Sequence, residues 1–223
     1  MGKTILTSKQ LNFLELIQQD KQITKRFYFT GGTALAEFYL KHRLSEDIDL
    51  FTEQKEVDQK VVEVFLRKIS PELSVVKISK SLFLGLVSFI LHFKDGEKLK
   101  VDFNYYPFPR IEKGLKYKNL EVDSLYDIAV NKVHTLFMRA RSRDYVDLYF
   151  ILKRQDYFLE KLILDAKAKF DWDIERGGLI SQFMRVVDIG IEDLPRMLVP
   201  FDIKKMEKFF LNEAKKLKKE ILK

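Results

Sequence analysis

The feature that most constrains this chain is a change of period part-way along it. From Leu73 to Tyr106 the apolar residues run as strands do: Val75–Ile78 is β-branched, and two longer runs, 82–93 and 98–106, flank Lys94-Asp95-Gly96-Glu97. An Asp-Gly pair between such runs is a strong hairpin signal. Pro107 and Pro109 end the sheet pattern. From Asp123 onward the spacing is helical, with segments predicted at about 124–141, 144–153, 158–169, 179–187 and 204–223. Ser124 followed by Asp127 resembles a capping box at the first of these. A chain of 223 residues written this way predicts an α+β protein. Its expected parts are a mixed-sheet core over 1–115 and a helical region over 116–223 that shares the core's cleft.

The first part also carries helices. Leu11, Phe13, Leu14 and Ile17 make an amphipathic stripe over 8–20, and Val57, Val61, Val64, Phe65 and Ile69 make another. Short strands are expected at 26–30 and 48–51, with Gly31-Gly32 between the first strand and a helix over 33–40.

Composition narrows the classes. With 46% hydrophobic and 33% charged residues, the chain reads as a globular protein. The 19 Phe suggest an aromatic-rich core. Without Cys there are no disulfides and no thiolate metal sites. The apolar run at 82–91 is too short to span a bilayer as a helix, and no signal-peptide core is seen, so a cytoplasmic protein with no membrane partner is expected. Residues 204–223 hold eight Lys and three Glu within a net charge of +7. Such an end attracts phosphates or is a solvated helix face.

Five constellations could carry chemistry. Gly31, Gly32 and Thr33 sit at a strand–helix junction, where backbone amides can approach an anion, or where glycines merely punctuate the chain. Asp47 and Asp49 share one face of a strand while Ile48 and Leu50 face the other way. They are Mg²⁺ ligands or a polar strand end in water. Asp102 shares a face with Lys100 and Asn104, and is a third acid, a base for an incoming hydroxyl, or a solvent-facing residue. Lys132 lies on the apolar stripe of its helix and needs a triphosphate or a carboxylate as partner, unless it snorkels out. Arg139, Arg141, Arg143, Asp144 and Asp147 form a dense charged run, either a salt-bridged surface or a phosphate-holding segment. His42, His92 and His134 show no metal-ligand spacing.

The order of these pieces resembles a known family. Thr30-Gly31-Gly32-Thr33-Ala34-Leu35, then Arg43-Leu44-Ser45-Glu46-Asp47-Ile48-Asp49-Leu50-Phe51, resembles the signature of the AbiEii-type abortive-infection nucleotidyltransferases. Asn131-Lys132-Val133-His134 and Arg143-Asp144-Tyr145-Val146-Asp147-Leu148 resemble its later motifs, so the likeness spans about 28–152. The first motif departs from the Gly-Ser of many polymerase-β relatives, although Thr33 keeps the hydroxyl.

The resemblance implies a polymerase-β-like core and transfer of a nucleoside monophosphate from an NTP. Asp47 and Asp49, with Asp102 by strand phase, would bind two Mg²⁺ ions, with Mn²⁺ as a substitute. Gly31, Gly32, Thr33, Arg43, Ser45 and Arg143 would contact substrate. Lys132 would steady the phosphates, and Asp144 or Asp147 would match a further carboxylate needed for activity. The implied acceptor is RNA, tRNA in particular, and the implied setting a toxin with a protein antitoxin. The alternatives are a small-molecule or protein acceptor, or a non-catalytic module that binds nucleotide or an antitoxin.

Overall fold

The computed structural model describes residues 4–83 and 85–221. The chain forms two compact units. The first comprises residues 1–39 and 44–125, the second residues 40–43 and 126–223.

The first unit is built on a seven-stranded sheet. Its strands are β1 (Tyr28–Thr30), β2 (Ile48–Thr52), β3 (Val75–Phe83), β4 (Leu86–Phe93), β5 (Lys98–Tyr105), β6 (Lys116–Tyr117) and β7 (Leu120–Val122), in the order β3-β4-β5-β2-β1-β7-β6. β2 runs parallel to β5 and β1 parallel to β7; the other neighbours are antiparallel. The mixed sheet is therefore as expected, and the Asp-Gly hairpin joins β4 to β5.

Two differences have local causes. The apolar run at 82–93 is not one strand: Gly85, at φ +80°, lies in the turn between β3 and β4. The sheet unit extends to Leu125, beyond the expected 115, because β6 and β7 join it. Their two and three residues are too short to show a period-2 pattern.

Helix α1 (Ser8–Ile17) starts at a capping box formed by Thr7 and Gln10 and buries Phe13, Leu14 and Ile17. The short α2 (Lys21–Thr24) follows an Asp20 cap. α3 (Gly31–Ala34) continues as a π-helical stretch over Leu35–Leu40. α4 (Gln59–Ile69) buries Val62, Phe65, Leu66 and Ile69. The core of this unit also holds Phe29, Leu50, Phe89, Val101 and Phe103. Rings of Phe27 and Phe89 meet Phe103 edge-on, which accounts for part of the Phe-rich composition.

The second unit is helical: α5 (Leu125–Arg139), α6 (Ser142–Arg154), α7 (Leu159–Phe170), α8 (Arg176–Met184) and α9 (Ile203–Ile221). Each predicted helix is present within three residues at each end, except that the predicted end at 223 lies outside the described residues. Phe210 of α9 packs edge-on against Tyr145 and Phe183. The segment 40–43 belongs to this unit: Arg43 bridges to Met197, and the Leu198 amide donates to the His42 carbonyl.

Candidate active site

In the first unit, strand pairing assembles the acids. Asp49 lies on β2 directly beside Asp102 on β5 and beside Thr30 at the end of β1. Ile48 and Leu50 are buried on the opposite face, so Asp49 is fixed on the face away from them. Asp47 precedes β2 by one residue. The Lys100 ammonium lies 2.5 Å from Asp102 Oδ2 and 3.7 Å from Asp47 Oδ2, which places these two acids around one point. Burial opposes charge on Lys100, but Asp102, Asp47 and Asp49 together hold its pKa above the usual lysine range.

Two observations bear on a bound cation. Asp102 is 9% exposed, and its Oδ1 is buried without a hydrogen-bond partner among the described residues. An orphaned carboxylate oxygen in such a place calls for a cation or a proton. Gly31 stands at φ +75°, and a Cβ there would lie 2.1 Å from Asp49 Oδ2. Backbone and carboxylate thus approach as only glycine permits. Hard carboxylate oxygens suit Mg²⁺ or Mn²⁺, so the donor set fits these ions. Among the described residues, no three His, Cys, Asp or Glu side chains are already closed into a metal cluster. Lys100 stands among the acids instead.

The glycine makes a direct test. Gly31→Ala is expected to cost about 1–3 kcal/mol from the left-handed backbone and the displaced carboxylate. Urea denaturation followed by circular dichroism measures it, and an unchanged midpoint would refute the close approach.

The loop before β2 is held from two sides. Gln10 Nε2 donates to the carbonyls of Ser45 (2.8 Å) and Glu46 (3.0 Å), while its Oε1 accepts from the Thr7 amide. Thr33 Oγ1 donates to the Asp47 carbonyl at 2.5 Å. Thr33 was expected to bond phosphate, but its single hydroxyl proton is committed to this loop, and the residue is 1% exposed. Its observed role is to hold Asp47. Nothing in the sequence singled out Gln10 for this role.

In the second unit, four of the expected site residues meet in one buried ion cluster. Arg43, expected to contact substrate, instead grips Asp147 through Nε (2.6 Å to Oδ1) and an Nη (2.8 Å to Oδ2). Lys132 Nζ lies 2.7 Å from both Asp144 Oδ1 and Asp147 Oδ2. His42 Nε2 is 2.8 Å from Asp147 Oδ1. Asp147 is 0% and Arg43 2% exposed, so neither can touch a substrate or a metal ion in this arrangement. Burial pushes the Asp147 carboxyl up, yet Lys132, Arg43 and His42 outweigh it and hold the group well below the usual carboxylate range. Burial opposes charge on Lys132 as well, and Asp147 and Asp144 more than offset it. The expected phosphate role of Lys132 thus gives way to a carboxylate-neutralised ammonium that ties α5 to α6. Arg143 lies half-exposed on α6. His42, to which the sequence assigned no chemistry, is part of the cluster.

Burial lowers the pKa of His42 and of His134, whose ring stacks on Phe170 at 3.9 Å. The unfolded chain, with histidines near 6.5, therefore takes up protons first as pH falls. Stability from these groups is complete above about pH 7 and declines as pH drops through 6.5. The urea midpoint is expected to fall between pH 7 and 5.5. In His134→Phe the fall is expected to be smaller, and an identical pH slope would count against the assignment.

A groove of about 530 Å³ between α4 and β3, lined by Leu66, Arg67, Ile78 and Phe89 among others, contains none of the expected site residues.

Comparison with known proteins fits this geometry. Residues 15–220 match the family described as "Nucleotidyl transferase AbiEii toxin, Type IV TA system". The chain belongs to the AbiEii nucleotidyltransferase family. A relative in Aquifex aeolicus (strain VF5), an uncharacterised protein, is 30% identical over 151 residues, 66% of this chain and 68% of that one. Two Helicobacter pylori crystal structures share the fold at 20% identity and TM-score 0.57. One is JHP933, covering 96% of this chain and 94% of its own; the other is a putative nucleotidyltransferase, covering 96% and 97%. The α+β nucleotidyltransferase fold expected for this AbiEii chain is therefore present. No helix among the described residues is long and apolar enough to cross a membrane.

Proposed function

We propose that this AbiEii chain is a cytoplasmic, divalent-cation-dependent toxin that moves a nucleoside monophosphate from an NTP to RNA, tRNA in particular, and is countered by a protein antitoxin. One observation carries the catalytic part: Asp49 and Asp102 lie side by side on β2 and β5, with Asp47 near Asp102 through Lys100 and Asp102 Oδ1 unpartnered among the described residues. Asp47, Asp49 and Asp102 would hold Mg²⁺, in two ions by analogy with transferases of this type. When bound, the metal offsets triphosphate charge and makes the acceptor hydroxyl easier to deprotonate.

The protein's own residues do the rest. Gly31 lets the backbone approach Asp49, and Thr33 and Gln10 fix the loop that carries Asp47. Asp102 Oδ1, which has no hydrogen-bond partner among the described residues, would ligate the cation or take the acceptor's proton. The RNA acceptor is supported by α9, which buries Met206, Phe210, Ala214 and Leu217 and leaves every Lys from 204 to 219 exposed. Such a face binds phosphate backbones in a salt-dependent way.

The test is to incubate the full chain with each labelled NTP, Mg²⁺ and total RNA. Label in RNA that disappears with chelator supports the proposal. Label in protein or in small molecules would move the acceptor elsewhere. No label with any NTP would favour a non-catalytic binding module.

A further inference from the structure

We propose that Lys100 is a built-in counter-ion of the acid site, which the divalent cation must displace in order to bind. This rests on reading Asp47, Asp49 and Asp102 as cation ligands. Lys100 lies on β5 two residues before Asp102, so the two side chains leave the strand on one face. Its Nζ sits 2.5 Å from Asp102 Oδ2 and 3.7 Å from Asp47 Oδ2. A divalent ion ligated by these acids needs the oxygens that the ammonium holds. The two cations cannot share them, because like charges at contact distance repel.

The arrangement is also incomplete in a way that favours exchange. One ammonium offsets a single charge between Asp102 and Asp47, and Asp102 Oδ1 has no hydrogen-bond partner among the described residues. A divalent cation brings twice the charge and can engage that oxygen. Lys100 is free to leave: its side chain is 42% exposed, and its four-carbon stem can turn outward. Once displaced, the ammonium stays tethered beside the site, where a triphosphate offers it a new partner. Lys100 therefore keeps the acids assembled without metal and weakens metal binding when no nucleotide is present. Nothing in the alternating pattern of β5 requires a cation at this position, since any polar residue would serve the fold.

The test measures Mn²⁺ binding by electron paramagnetic resonance on the full chain without nucleotide, at constant ionic strength. Lys100→Met is expected to bind Mn²⁺ about 3–10-fold more tightly than wild type, the scale of two partly exposed ion pairs. Lys100→Arg, which keeps the charge, is expected to stay near wild type. In the unmodified protein, Mg²⁺ is expected to speed reductive methylation of Lys100, read by mass spectrometry. This second measurement decides the matter if Lys100→Met does not fold. Should wild type bind Mn²⁺ through Asp49 while Lys100→Met binds no tighter and Mg²⁺ leaves Lys100 labelling unchanged, the counter-ion role is overturned and the metal site stands. If Asp49→Asn binds Mn²⁺ like wild type, the acids are not the cation site and both readings fall.

Discussion

Asp49→Asn is expected to lower nucleotide transfer by at least about 10²-fold, the scale of losing one preorganised electrostatic contact at a reacting centre. The fold should survive. Asp49 projects from the face of β2 opposite the buried Ile48 and Leu50, and Asn is nearly isosteric with it. Asn also keeps an acceptor oxygen at the same position, so the melting temperature should stay near that of wild type. Transfer is measured with labelled NTP and RNA, and folding by circular dichroism. Wild-type transfer by a folded Asp49→Asn protein would remove Asp49 from the proposed site. A loss of activity accompanied by unfolding would instead make the residue structural.

Asp147→Ala should have the opposite profile. It leaves Arg43 and Lys132 buried with a shared anion gone and, of the two carboxylates described on Lys132, only Asp144 in place. Removing one partner from a buried ion network costs about 3–5 kcal/mol, because the uncompensated charge remains inside. The chain has a single Trp, Trp172, and it lies in the helical unit, so fluorescence reads the unfolding of that unit. The urea midpoint by fluorescence should fall steeply, while the sheet unit, followed by amide exchange on β2 and β5, should change little. Equal loss in both units would show that the cluster stabilises more than its own helices. A midpoint within about 0.5 kcal/mol of wild type would mean that water or a neighbouring carboxylate replaces Asp147 at little cost.

These contrasting profiles show where the sequence was informative. Asp47 and Asp49 could be given one face of their strand, and Asp102 one face of its own, because a strand has a period of two; that Asp49 and Asp102 stand side by side depends on how β2 and β5 pair. The same alternation put Lys100 on the acid face, but periodicity says nothing about which charge it meets. Lys132 was correctly placed toward the interior of its helix, and a carboxylate partner was one of the options. That Asp144 and Asp147 are that partner depends on how α5 and α6 pack. Arg43 was misassigned for a different reason. It stands four residues before Asp47 in a stretch that reads as one motif, yet it packs with the helical unit. Strands β6 and β7 were missed because pairs and triplets of residues carry no period, and what recruits them is the edge that β1 offers. Helix existence was the most legible layer, since each predicted helix spans several turns of a clear apolar stripe.

The route of the chain between its units has a consequence for how such a protein can change. It passes from one unit to the other at residues 39–40, 43–44 and 125–126. A gene cut at 125 would give a first product carrying His42 and Arg43 but lacking Asp147, and a second carrying Asp147 without two of its ligands. Each product would carry only part of the buried ion cluster. A cut at that point is therefore expected to weaken the helical half, whose charges depend on a segment encoded about eighty residues upstream.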